Sequence, residues 1–148
     1  WSATRRAGFG LRLVPSGVNV FQSMTVAGNL RASGDLEAAL GLFPELEALL
    51  TQQAATLSGG QRQLLAVACA LSGNWRVLLV DEPVQGIAPE LAERVYSALA
   101  AAVTPERAVL VADPVVGRAL RVADFVWRLE RGRVTFAGEP SELASQGV

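Results

Sequence analysis

Val77-Leu78-Leu79-Val80-Asp81-Glu82-Pro83 decides how the rest of the chain is read. The unbroken apolar run is the pattern of a strand buried on both faces, as strands in parallel sheets are. It ends on two adjacent carboxylates and a proline. In doubly wound sheets, ligands bind beyond the carboxyl ends of the strands, so Asp81 and Glu82 stand where chemistry is done. Asp81 can hold Mg²⁺ through water there, and Glu82 can polarise an attacking water. The plain alternative is a turn carrying two solvated acids.

Upstream lies Leu57-Ser58-Gly59-Gly60-Gln61. A Ser followed by two Gly at a helix start makes an anion site. Ser58 supplies a hydroxyl, the glycines let a phosphate approach backbone N–H groups, and the helix dipole favours negative charge at that end. A Ser-capped helix with no ligand is the plain alternative. The helix runs to about Leu71 and stops near Ser72-Gly73. Earlier still, Phe9 to Val14 reads as a strand stopped by Pro15. Thr25 can cap a helix through Ala32, Asp35 another over Leu36–Leu42, and Pro44 can start a third through Leu50.

Downstream, Pro89 opens a helix with the apolar stripe Leu91, Val95, Leu99 and Ala102. Val109-Leu110-Val111 reads as a second buried strand, and Val115 to Val122 as a helix. Phe125 to Leu129 and Val134 to Phe136 read as two short strands about a tight turn at Arg131-Gly132. Strands alternating with helices imply a mostly parallel α/β sheet. The helices between Thr25 and Leu71 form a lobe upon it.

The composition narrows the chemistry. The 148 residues are 51% hydrophobic and 18% charged, which suits one domain with a real core and argues against disorder. The net charge of -1 gives no reason to expect a nucleic-acid partner. All 13 basic residues are Arg, and neither Lys nor His occurs, so no reaction can draw either group from these residues. Cys69 is the single cysteine, which excludes an internal disulfide. It lies in an apolar run and reads as a small core residue. No apolar run approaches the ~20 residues that cross a bilayer. The chain begins at Trp1 inside what reads as mid-domain sequence, so a missing front is expected.

The order and spacing of LSGGQ and VLLVDEP resemble those of ABC transporter ATP-binding subunits, and the resemblance covers nearly the whole chain. Val14-Pro15-Ser16 resembles the Q-loop region, Val84 to Pro89 the D-loop, Val109 to Asp113 the switch strand, and Ala123-Asp124 through Gly138 the closing hairpin. VP-x-G-x-x-VF, TV-x-x-NL, LFPEL and DEP-x-x-G-I-AP resemble the branched-chain amino-acid importer subgroup. The resemblance implies a P-loop NTPase-like α/β fold with an inserted helical subdomain and an incomplete N-terminal part. Over 1–148, residues 1–20 would be the Q-loop region, 21–73 the helical subdomain with the signature, and 74–148 the Walker B core and hairpin.

In that family two ATPase domains pair head to tail. Ser58, Gly59, Gly60 and Gln61 would then touch the γ-phosphate of a partner's ATP. Asp81 would hold Mg²⁺, and Glu82 would be the general base on the chain's own ATP. A transmembrane permease would dock on the residues between the Q-loop and the signature, placing the protein at the cytoplasmic face of the membrane. The departures are specific. No G-x-x-x-x-G-K-[ST] loop occurs in these residues. Ser16 stands where the Q-loop Gln is usual, Asp113 for the switch His, Ala88 for the D-loop Asp, and Cys69 for a frequent Arg. The chain by itself is therefore expected to be inactive, and its buried-type strands to be partly uncovered. Three functions are open: the ATPase of an importer for branched-chain amino acids or a related solute, a non-catalytic partner offering LSGGQ to a complete ATPase subunit, and a DNA-repair-type ABC ATPase.

Overall fold

The computed structural model describes residues 2–17 and 20–145. Trp1, Val18 and Asn19, all in the expected Q-loop region, lie outside the described residues, as do residues 146–148 of the expected core segment. The chain forms two compact units, residues 1–113 and 114–148.

The first unit is built on three parallel strands in the order β1 (Leu11–Val14), β2 (Val77–Asp81), β3 (Ala108–Ala112). Before β1 comes α1 (Ala3–Gly8), which sequence patterning did not suggest. Between β1 and β2 run α2 (Val26–Ser33), α3 (Leu36–Leu42), a 3-10 helix over Pro44–Leu49, and α4 (Gly59–Leu71). The helix α5 (Pro89–Ala101) joins β2 to β3.

The helices α2 and α3 start where short polar side chains satisfy the first free N–H groups. Thr25 Oγ1 accepts from Gly28 N at 3.0 Å. Asp35 Oδ1 accepts from Glu37 N and Ala38 N at 2.9 and 3.2 Å. Pro44 opens its segment as expected, but that segment is a 3-10 helix. In α5, Val95 and Leu99 of the expected stripe are buried, Leu91 and Ala102 pack partly buried against the same core, and Ala92 and Tyr96 widen the buried face.

One continuous core joins the lobe to the sheet. It contains Val26, Leu30, Phe43 and Leu46 from the lobe, Leu64, Leu65 and Val67 from α4, and Val14, Leu78 and Val80 from the strands. Arg12, on the same sheet face as Val14, reaches across to two helix ends. Its Nη1 donates to Cys69 O and Ala70 O at 2.9 and 3.2 Å, and its Nη2 to Ser33 O at 2.8 Å. A cation at helix C-termini meets both unpaired carbonyls and the negative end of the dipole. Gly73 makes room for it, since a Cβ there would lie 1.7 Å from Arg12 Nη1.

Among the described residues the other face of the sheet is only partly covered. Leu13, Leu79 and Leu110 are register partners forming a row across the three strands. Leu13 is 57% and Leu110 51% exposed. The expectation that Val109–Val111 is a buried strand is therefore corrected: β3 buries only one face, because both connections return along the same side of the sheet. Parallel sheets normally carry helices on both.

The second unit contains α6 (Val116–Leu120), the antiparallel pair β4 (Val126–Glu130) and β5 (Arg133–Gly138), and α7 (Pro140–Ala144). The hairpin turns at Arg131 and Gly132, both with positive φ (50° and 77°), the conformation a two-residue type I′ connection needs. Phe125 and Trp127 pack with their rings tilted by 56° and centroids 4.7 Å apart.

Candidate functional site

The carboxyl ends of the parallel strands bring Ser16, Asp81–Glu82 and Asp113 to one edge. The ladder continues past Asp81, since Glu82 N donates to Ala112 O at 2.8 Å. The chain then turns sharply. Glu82 takes φ +49°, a left-handed conformation that L-residues with a Cβ adopt rarely. Gln85 N donates to Glu82 O at 3.2 Å and Ile87 N to Val84 O at 3.1 Å. Gln85 Nε2 also donates to Glu82 Oε2 at 2.9 Å, so the carboxylate is held by its own loop. Asp81 is half-buried at the strand end.

Ser58 and Gln61 cap α4 reciprocally. Ser58 Oγ accepts from Gln61 N at 3.2 Å, and Gln61 Oε1 accepts from Ser58 N at 2.9 Å. This capping box uses the acceptors of both side chains. The Ser58 hydroxyl proton and the Gln61 Nε2 protons remain as donors, alongside the first-turn N–H groups of Gly59 and Gly60, an arrangement suited to an anion.

The two glycines differ in what makes them necessary. A Cβ on Gly59 would meet nothing within 4 Å, whereas one on Gly60 would lie 2.2 Å from Gly86 O. Gly86 itself has φ +72°. In sequence both glycines suit phosphate approach, and the backbone N–H groups of both stay available for it. The structure leaves Gly59 open and uses the missing side chain of Gly60 to seat the start of α4 on the loop after Glu82. Gln63, one turn further on, donates from Nε2 to Glu82 O at 3.2 Å and Pro83 O at 3.5 Å. The two motifs, separate in sequence, are thus one packed assembly. Sequence patterning missed Gln63, whose only signal was a polar residue in the apolar face of α4. It also missed Arg12, which reads in isolation as the solvent side of a strand.

The unusual positions differ in their surroundings. Asp113 accepts a hydrogen bond from the hydroxyl of buried Tyr96, which ties the end of β3 to α5. Ala88 is the N-cap of α5 and provides no side-chain cap. Ser16 is exposed at a bend. Cys69 is buried as expected, and burial pushes its thiol up to about 11 despite a hydrogen bond with Ser33 and the nearby Arg12 charge.

The donor set fits some ligands and not others. Among the described residues no cluster of three His, Cys, Asp or Glu could hold a metal ion. Asp81 beside Glu82 suits Mg²⁺ that brings its own phosphate and water ligands, since that ion commonly takes only one or two carboxylates. For ATP, the start of α4 suits a terminal phosphate. These residues contain no Lys to meet one.

Comparison with known proteins fits this geometry. A family model described as ABC transporter matches residues 3–85. The chain belongs to the ABC transporter family. It is 36% identical to a probable branched-chain amino acid transport ATP-binding protein, LivF, of Archaeoglobus fulgidus, over 93% of this chain and 63% of that protein. It is 32% identical to the high-affinity branched-chain amino acid transport ATP-binding protein BraG of Pseudomonas aeruginosa, over 84% of this chain and 58% of that one. The ABC-type chain thus spans about three fifths of these relatives. Its fold matches the solved structure of an ATP-binding subunit of an ABC transporter with a TM-score of 0.78 at 21% identity, covering 97% of this chain and 65% of that one. Among the described residues no helix is long and apolar enough to cross a membrane.

Proposed function

We propose that these residues are the signature and Walker B portion of an ATP-binding subunit that powers import of branched-chain amino acids or a related small solute. The observation that carries this reading is the packing of the Ser58–Gln61 helix start onto the loop that follows Asp81 and Glu82. The names of the relatives favour the solute class. Ser58, Gly59, Gly60 and Gln61 donate hydrogen bonds to the terminal phosphate of an ATP held by a second ATPase subunit, paired head to tail. Asp81 anchors the water shell of Mg²⁺, and Glu82 takes the proton of the attacking water. The ion supplies charge neutralisation for the phosphates. A transmembrane permease is the second partner, and the protein sits peripherally at the cytoplasmic face of the membrane.

A second reading is a non-catalytic partner that offers Ser58–Gln61 to a complete subunit. It is supported by the absence of Lys from these residues and by the engagement of Asp113 with Tyr96. Neither reading has this chain hydrolyse ATP unaided. The purified chain is expected to show no turnover above background. Hydrolysis abolished by Glu82→Gln would overturn that. Pull-down by a full-length ATPase subunit should depend on ATP and be lost on Ser58→Arg. Capture indifferent to both would remove the basis of the trans-acting signature.

A further inference from the structure

Two polar side chains are buried among the described residues, Asn29 and Gln63. Asn29 serves its own neighbourhood: Nδ2 donates to Phe21 O and Thr25 O, both at 3.0 Å, and Oδ1 accepts from Phe21 N at 2.7 Å. Gln63, 5% exposed, reaches out of its helix to a backbone carbonyl 19 residues away. That carbonyl belongs to Glu82. Among the described residues only Glu82 and Arg131 take positive φ without being glycine. The Arg131-Gly132 hairpin turn requires it of Arg131, whereas Glu82 lies at the end of a strand where no hairpin imposes it. Such a conformation persists when its surroundings over-determine it. Here the surroundings are Ala112 O accepting from Glu82 N, Gln85 N donating to Glu82 O, and the Gln63 amide on the same oxygen.

We propose that Gln63 is a positioning residue: from the helix that begins with Ser58-Gly59-Gly60, it holds the Glu82 backbone in the left-handed conformation that aims the carboxylate, and so joins the trans-acting and cis-acting halves of the site. This rests on the reading of Glu82 as general base. The Gly60–Gly86 contact is the second attachment between the same two segments, so displacement of the helix start is transmitted to the Glu82–Ile87 loop. Gln63→Met keeps length and volume and removes the donor.

The first test needs no nucleotide. Hydrogen exchange in the protein should quicken at least tenfold at the Gln85 and Ile87 amides in Gln63→Met, with the amides of α2 and α5 unchanged. Unchanged exchange at Gln85 and Ile87 would overturn the proposal, and so would a uniform rise across the chain, which would mark a purely structural role. Gln63→Leu, apolar and lacking the donor, should repeat the local effect. The second test uses the assembled transporter. Gln63→Met should lower kcat about tenfold with KM for ATP within twofold, and should cause no further loss when combined with Glu82→Gln. Additive losses would overturn action through Glu82. If Glu82→Gln alone keeps full turnover, the general-base reading fails, while the exchange result stands or falls separately.

Discussion

Gly60→Ala and Gly59→Ala differ by one position in sequence and should differ in sign. At Gly60 the new methyl carbon would lie 2.2 Å from Gly86 O and 3.1 Å from Gly86 C, both main-chain atoms. Carbon–oxygen contacts settle at about 3.3 Å or more, so helix and loop must part by about 1 Å. Overpacking of this kind costs about 1–3 kcal/mol. The better helix propensity of Ala returns at most about 1 kcal/mol, and less in the first turn. The net is a loss of about 1–2 kcal/mol, or roughly 3–6 °C in melting temperature for a chain of this size. At Gly59 the methyl meets nothing within 4 Å, and the same propensity gain acts alone, stabilising by about 0.5 kcal/mol. Urea denaturation followed by far-ultraviolet circular dichroism measures both variants against the parent. If Gly60→Ala is as stable as Gly59→Ala, the loop yields freely and the seating of α4 on it constrains nothing.

Other outcomes follow from single positions. Ala88→Asp supplies the cap that α5 lacks and should raise stability by about 1 kcal/mol, seen as a higher urea midpoint. A midpoint that falls would show that the cap position is blocked. Tyr96→Phe deletes the donor to Asp113 and should cost about 1–3 kcal/mol, the range for hydrogen bonds to charged groups; an unchanged midpoint would show that water replaces it. Cys69, with its thiol raised to about 11 by burial, should resist a disulfide reagent at pH 8 and react fully in urea, and rapid labelling of the native protein would contradict its burial. Because its folded pKa is raised, the protonated thiol contributes stability fully below the usual thiol range. That contribution is lost as pH rises through about 11, so the urea midpoint of Cys69→Ala should fall less at alkaline pH than that of the parent.

What the sequence disclosed was local. Thr25, Asp35, Ser58 and Pro89 announce their helices because capping and proline geometry act within a few residues, and Asp81-Glu82 announces the site because a strand end is legible from an apolar run. The Gly60–Gly86 contact, the reach of Gln63 and the crossing of Arg12 join residues far apart in the chain, and no periodicity encodes them. The exposure of Leu110 escaped for a related reason. An apolar run states that a strand suits burial, and only the path of its connections states which face receives it.

The guanidinium of Arg12 fixes a mechanical property of the lobe. α4 has 13 residues, about 20 Å at 1.5 Å per residue, with Arg12 at its far end and the Gly60–Gly86 seat at its near one. A lever of that length, tilted by only about 5° on the Arg12 fulcrum, would swing Ser58 by close to 2 Å, about the margin between a made and a lost hydrogen bond. Pinned at both ends, the rod resists tilting alone. A force on Ser58 is shared by the strand that carries Arg12 and by the carboxylate loop.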